Sequence, residues 1–178
     1  MIYGAVSLLT AAGDLLLKQL IEQQDAESFP RPMEGTNGKI WLYRNHNAGF
    51  PFGFLEKYGG IVRTVPLVVT SMMAGMLLAL REQKGNVLRK LAFAVAIGGS
   101  VSNLYDRYRR RYVVDYFSLQ FGPLKKVVFN LGDICVFAGT GMLFLLEAVR
   151  EIRKIAGEAG ENDKICVKSG KTEENPGN

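Results

Sequence analysis

Histidine and cysteine are scarce in this chain of 178 residues, which has one histidine and two cysteines. A protein zinc site usually takes about four His, Cys or acidic ligands, and His46 has no cluster of such residues at ligand spacing. Cys135 and Cys166 are too few and too differently placed for a disulfide framework, so we expect two free thiols. The composition therefore predicts a protein without a metal or cofactor, although aspartates alone would still permit a metal.

Basic residues outnumber acidic ones, 22 to 17, but they lack the arrangement of a nucleic-acid surface. They flank apolar blocks instead of forming a stripe with interleaved stacking aromatics. We therefore expect no nucleic-acid partner.

Charges are absent from long stretches, and the apolar residues collect in four blocks, near 2–21, 61–80, 91–105 and 127–149. A bilayer core takes about 20 apolar helical residues, and only the block near 91–105 is clearly shorter, unless its polar end lies in the interface. We expect a membrane protein with four transmembrane α-helices. Residues 22–58 should form a small extracytoplasmic β element, and a second short outer segment should lie between the last two blocks.

The loop charges predict the orientation of these spans. The loop "REQKGNVLRK" after the second block and the arginines after the fourth are basic, which places the loop and both termini in the cytoplasm. The basic segment "DRYRRRY" on the other side argues against this orientation. No basic segment precedes the first block, so we expect a retained helix. Residues 1–156 should form the membrane domain, and the polar residues 157–178 a disordered cytoplasmic tail.

Ionisable residues inside the spans need a reason, because each costs roughly 2.5–3.5 kcal/mol near the middle of a membrane helix. Asp14 and Lys18 are four residues apart, so they share a helix face and neutralise each other, either as a structural pair or as part of a site. Asn103, Asp106 and Arg107 share a face at the outer end of the third block. They form either a site or a helix end that returns to water.

Two aspartates lie at the same predicted membrane boundary among apolar neighbours. Asp115 belongs to the strand-like "YVVDYF", and Asp133 follows Asn130 about one turn into the fourth block. Two close carboxylates cannot both ionise cheaply, so one keeps its proton and the other stays charged. The charged one can activate water while the protonated one binds the attacked carbonyl oxygen. The pair predicts metal-free peptide hydrolysis, with either aspartate as the base.

Other functions fit parts of the same pattern. Cys135 with His46 could form a thiol protease, but Cys135 lies toward the apolar middle of its helix, where a cysteine usually packs. A non-enzymatic four-helix protein, such as a transporter or assembly factor, would need polar residues that continue toward the inner side. After Asp133 no charge occurs before Glu147, which favours the protease.

Four ordered motifs between roughly residues 14 and 140 resemble those of the lipoprotein signal peptidases, also called signal peptidase II. The motifs are "NAGFPFG" at 47–53, "GGSVSNLYDR" at 98–107, "VVDY" at 113–116 and "FNLGD" at 129–133. This resemblance implies a bacterial inner-membrane aspartic protease. Such an enzyme removes the signal peptide of diacylated prolipoproteins just before the diacylglyceryl-modified cysteine. It meets membrane lipids and is inhibited by cyclic peptides such as globomycin.

The resemblance also implies a role for each matched residue. It implies the catalytic dyad Asp115 and Asp133; the substrate-binding residues Asn47, Gly49, Asn103, Arg107 and Asn130; and the structural supports Asp14, Lys18 and Asp106. Gly132 and Ile134 depart from the family, which usually has alanine and a small polar residue there. A catalytically impaired homologue that binds lipoproteins is therefore the alternative.

The aromatic segment "GFPFGF" at 49–54 belongs to the first of these motifs. Its glycines would let the loop move over a substrate, and Pro51 would limit that motion. Phe50, Phe52 and Phe54 would contact acyl chains or cap the dyad.

Overall fold

Long helices dominate the computed structural model, which describes residues 1–49 and 57–170, the last of them from residue 157 as backbone only. The helices are α1 (Ile2–Glu22), α2 (Gly59–Ala79), α3 (Val87–Arg109) and α4 (Leu131–Gly170). These four are long and apolar enough to cross a membrane, α4 through its part Leu131–Ala156. The predicted four-helix fold class is confirmed. Residues 50–56 include the predicted mobile and aromatic part of the "GFPFGF" loop, so those predictions lie outside the described residues.

Helix α3 lies at the centre of the bundle and packs against the other three helices. In its apolar window 61% of the residues are buried, against 22% or less in each of the other helices. Glycines allow the close approach: a Cβ on Gly98 would lie 2.6 Å from the carbonyl oxygen of Ser7 on α1. A Cβ on Gly139 of α4 would lie 2.5 Å from the carbonyl oxygen of Ala92 on α3. The outward faces of α1, α2 and α4 carry exposed Leu, Val, Met and Phe side chains suited to lipid.

A small antiparallel sheet covers one end of the bundle. Its strands are β1 (Arg31–Pro32), β2 (Ile40–Asn47) and β3 (Val113–Leu119), in the order β1-β2-β3. The sequence predicts the first two strands within 22–58 but treats the segment before α4 as separate. The structure corrects this, since β3 pairs with β2 and satisfies the backbone hydrogen bonds of both strands.

Helix α4 begins later and ends later than the sequence predicts. The predicted start near 127 is wrong because Phe129 pairs with Phe117 of β3, which keeps the preceding backbone extended. Asn130 consequently precedes the helix, and Asp133 lies in its first turn. The α4 backbone remains helical to Gly170, whereas the sequence predicts disorder from 157. No proline interrupts this segment, and an existing helix extends by one backbone hydrogen bond for each residue added.

Candidate active site

Asp115 and Asp133 line one pocket of about 560 Å³ between the sheet and the bundle. Asp115 comes from the middle of β3, and Asp133 comes from the first turn of α4. Asn47 and Arg107 line the same pocket. The structure therefore brings together two carboxylates that belong to different secondary-structure elements.

Backbone hydrogen bonds fix β3 against the residues that lead into α4. The amides of Tyr116 and Phe117 both donate to the carbonyl oxygen of Phe129, at 2.8 and 3.0 Å. The amide of Phe129 donates back to Phe117 at 2.8 Å. Asp115 comes directly before Tyr116, and Asn130 comes directly after Phe129. These three hydrogen bonds therefore set the distance between the strand and the helix that carry the dyad.

Asp115 is almost fully buried and accepts two amide hydrogen bonds. Asn130 Nδ2 donates to Oδ1 at 2.7 Å, and Asn47 Nδ2 donates to Oδ2 at 3.2 Å. Each amide has a fixed orientation because its own oxygen accepts from a backbone N–H. Asn130 Oδ1 accepts from the Asp133 amide at 2.8 Å, and Asn47 Oδ1 accepts from the Gly49 amide at 3.0 Å. A backbone N–H can only donate, so both NH₂ groups must face Asp115.

Asp133 accepts hydrogen bonds of its own at the start of α4. Asn103 Nδ2 donates to Oδ1 at 2.8 Å, and the backbone amide of Asn130 donates to Oδ2 at 3.3 Å. Asn130 and Asp133 thus cap the helix reciprocally, each side chain accepting from the other's backbone. A carboxylate in the first helical turn is also favoured by the helix dipole. These contacts stabilise the ionised form of Asp133.

Asp115 holds a proton more readily than an aspartate in water does. Burial raises the pKa of Asp115 to about 7, and the nearby charge of Asp133 adds to this rise. The hydrogen bonds from Asn47 and Asn130 lower the pKa again, but they do not cancel the effect of burial. Near neutral pH a substantial fraction of Asp115 side chains therefore carries a proton. The neighbouring carboxyl group of Asp133 lies in the first turn of α4, where the helix dipole favours a negative charge.

Lys18 joins the buried ion pairs of α1 and α3 to the dyad. Its ammonium lies 2.8 Å from Asp14 and 3.1 Å from Asp106, and all three side chains are fully buried. It also donates to Asn103 Oδ1 at 2.7 Å. Since Lys18 can only donate, it turns the NH₂ group of Asn103 toward Asp133. The pair Asp14–Lys18 is therefore an internal ion pair. Through Lys18 it also contacts Asn103, the residue that donates to Asp133.

Comparison with known proteins places this architecture in a family. The family described as Signal peptidase (SPase) II matches residues 6–149. The chain belongs to the signal peptidase II family. It is therefore a peptidase and, with its four apolar helices, a multi-pass membrane protein.

Individual relatives support the assignment. The lipoprotein signal peptidase of Shouchella clausii (strain KSM-K16) is 36% identical over 145 residues, which cover 79% of this chain and 88% of the relative. That of Haemophilus ducreyi (strain 35000HP / ATCC 700724) is 32% identical over 103 residues, 56% of this chain and 63% of the relative. A solved bacterial membrane enzyme has the same fold, with a TM-score of 0.66 and 17% identity over 85% of this chain and 89% of its own.

Asn47 and Arg107 line the pocket, and Gly49 contacts both of them. Arg107 is half-buried, and its Nη2 donates to the carbonyl oxygen of Gly49 at 3.2 Å. Asn47 donates to Asp115, as described above, and accepts from Gly49. Three of the predicted substrate-binding residues, Asn47, Asn103 and Asn130, therefore donate directly to a dyad carboxylate. Gly49 contacts the dyad through Asn47, and Arg107 lines the pocket and contacts Gly49.

The thiol-protease pair predicted as an alternative is not assembled. His46 lines the pocket, but its Nε2 lies 2.8 Å from Glu22 Oε1, and its ring stacks on Tyr112 with centroids 4.0 Å apart. Cys135 is not among the residues that line the pocket, and its Cβ packs beside Gly99 of α3.

Gly132 and Ile134, the two predicted departures from the family, have different surroundings. A Cβ on Gly132 would lie 2.8 Å from Asp14 Oδ2 and 2.9 Å from the carbonyl oxygen of Gly99, so glycine suits the tight approach of α4 here. Ile134 is 44% exposed and does not line the pocket.

Sequence reasoning missed one polar side chain near the dyad, Tyr116. Its hydroxyl donates to Asp14 Oδ1 at 3.0 Å and accepts from the backbone amide of Leu131 at 2.9 Å. The alternation of side chains along a strand was the available signal, because it places residue 116 opposite to Asp115 and toward the bundle.

Proposed function

We propose that this protein is an aspartic endopeptidase that removes the signal peptide of prolipoproteins before a diacylglyceryl-modified cysteine. The observation that carries the proposal is the pair Asp115 and Asp133, which face one pocket and receive fixed amide donors. Membership of the signal peptidase II family and the names of the relatives support the substrate class.

In this proposal the two aspartates act with different proton occupancy. Ionised Asp133 takes a proton from water, and the resulting hydroxide forms a bond to the scissile carbonyl carbon. Protonated Asp115 gives its proton to the carbonyl oxygen, which yields a neutral gem-diol. When the C–N bond breaks, one hydroxyl returns a proton to Asp115, and the proton on Asp133 passes to the leaving amine. Each carboxyl group ends in its starting state.

The walls of the pocket suit a substrate that carries acyl chains. Leu124, Val127 and Phe137 line it together with the dyad, and Phe137 is 60% exposed on the face of α4 that would meet lipid. An opening toward the bilayer would admit a membrane-embedded signal peptide. We further propose that the dyad lies at the outer surface of the inner membrane, with both termini cytoplasmic, and that cyclic peptides such as globomycin bind this pocket.

A solute path through the bundle is less well supported. Among the described residues the buried charged side chains are Asp14, Lys18, Lys90, Asp106 and Asp115. All except Lys90 belong to the dyad and its support at one end of the bundle, and Lys90 donates to loop carbonyl oxygens at the other end.

An impaired homologue is also less well supported, because Ile134 is exposed and lies outside the pocket.

Cleavage of a purified diacylated prolipoprotein tests the proposal. The wild-type protein should release the signal peptide and leave the modified cysteine at the new N-terminus, as detected by mass spectrometry. Asp115→Asn and Asp133→Asn should each abolish cleavage, because neither amide can exchange the required proton. Asp25→Asn, at an exposed turn outside the pocket, is the matched control. A rate within a few-fold of wild type in either dyad variant would reject the assignment of the dyad.

A further inference from the structure

The Tyr116 hydroxyl joins three elements that carry or support the dyad. It lies on β3, directly after Asp115, and its ring is buried against the bundle. The hydroxyl contacts Asp14 of α1 at 3.0 Å and the amide of Leu131, the first residue of α4, at 2.9 Å. One side chain therefore connects the strand of Asp115 with the helix of Asp133.

The direction of both hydrogen bonds is fixed by the partners. The Leu131 amide can only donate, so the Tyr116 oxygen accepts from it and must direct its own proton to Asp14. Burial and the charge of Asp14 hold the pKa of the Tyr116 phenol well above its usual range, so the hydroxyl keeps that proton. Asp14 in turn accepts from Lys18 and from Ser102, which keep its carboxylate in place.

The Leu131 amide has no acceptor within its own helix. The first N–H groups of any helix lack intrahelical partners and need a side chain, water or another group. Asn130 caps this end by accepting from Asp133, and Tyr116 satisfies Leu131 from outside the helix. Removal of the hydroxyl would leave the half-buried N–H of Leu131, two residues before Asp133, and the buried Oδ1 of Asp14 each short of one partner.

We propose that Tyr116 is a positioning residue for the peptidase reaction: its hydroxyl fixes the first turn of α4, and thereby Asp133, relative to Asp115. This inference rests on the dyad proposed above. It assigns a role to the hydroxyl itself rather than to the aromatic ring. A phenylalanine would keep the packing of the ring and lose both hydrogen bonds.

Tyr116→Phe and the matched control Tyr112→Phe test this role. Tyr112 also directs its hydroxyl at a carboxylate of α1, Glu22 at 3.4 Å, but among the described residues it makes no hydrogen bond to α4 or the dyad. The first measurement is amide hydrogen exchange, followed by mass spectrometry of a peptide that covers residues 129–134. Tyr116→Phe should raise exchange there by about tenfold and leave peptides of α2 unchanged, whereas Tyr112→Phe should change neither.

The second measurement is the kinetics of prolipoprotein cleavage by the same proteins. Tyr116→Phe should lower kcat by about tenfold, since a small misplacement of a reacting group slows the chemical step, and should leave KM within about twofold. A loss that appears in KM instead, or an equal loss in Tyr112→Phe, would overturn the positioning role. So would unchanged exchange at 129–134, whatever the cleavage assay gives. Cleavage by Asp115→Asn, by contrast, would reject the dyad and not the hydrogen bonds of Tyr116.

Discussion

Replacement of Lys18 by methionine should destabilise the protein more than any single change at its surface. Lys18 lies in a cluster with two carboxylates, Asp14 and Asp106, and a second cation, Arg110, which is 3.0 Å from Asp106. The four formal charges sum to zero. Methionine keeps most of the side-chain volume but leaves one negative charge uncompensated where Asp14 and Asp106 are fully buried.

The size of the effect follows from the burial of this charge. Removal of one member of a buried ion pair typically costs about 3–5 kcal/mol. A domain of this size melts roughly 2–4 °C lower for each kcal/mol, so we expect Tm to fall by about 6–20 °C. Asn103 also loses the donor that orients its amide, so the remaining folded protein should cleave more slowly.

Thermal unfolding in detergent measures this loss. Arg81→Met is the matched control, because Arg81 pairs with Glu82 on a surface where both side chains are largely exposed, and it should leave Tm unchanged. Lys18→Met with Asp14→Leu should recover part of the loss, since it restores neutrality while Asp106 keeps Arg110. A Tm of Lys18→Met within about 2 °C of wild type would refute the reasoning. A double variant that melts below both single variants would refute it equally.

Three further predictions address the dyad and the helix packing. The cleavage rate should fall as pH rises through about 7, because Asp115 then loses the proton that the reaction needs; a rate that stays constant well above this pH would contradict the assignment of the acid. Asn103→Leu should lower kcat by about tenfold or more, since Asp133 loses an amide donor, and unchanged turnover would exclude that contact from the mechanism. Gly99→Leu should lower Tm because its Cβ would overlap a carbonyl oxygen of α4, whereas Gly141→Leu, with open space around it, should not; equal melting of the two would argue against the close packing of α3 and α4.

The dyad and its amide partners could be located from sequence, but their contacts could not. Asp115 and Asp133 are conspicuous because ionisable side chains are costly among apolar neighbours, and motif order relates them to a family. The NH₂ groups of Asn47, Asn103 and Asn130 face carboxylates only because other donors occupy their oxygens. Those donors come from a loop, another helix and the backbone of α4, so no local pattern reveals them.

The sequence by itself determined the four membrane helices, because an apolar run of sufficient length is a local property that needs no neighbour. It also determined that carboxylates would lie near one end of the bundle. The tertiary structure alone decided that the two outer segments share one sheet and that α4 begins at Leu131, since both depend on pairing between β3 and distant residues. It alone decided that Tyr116 contacts both α1 and α4, because a hydroxyl finds its partners only after the strand and the helices have packed.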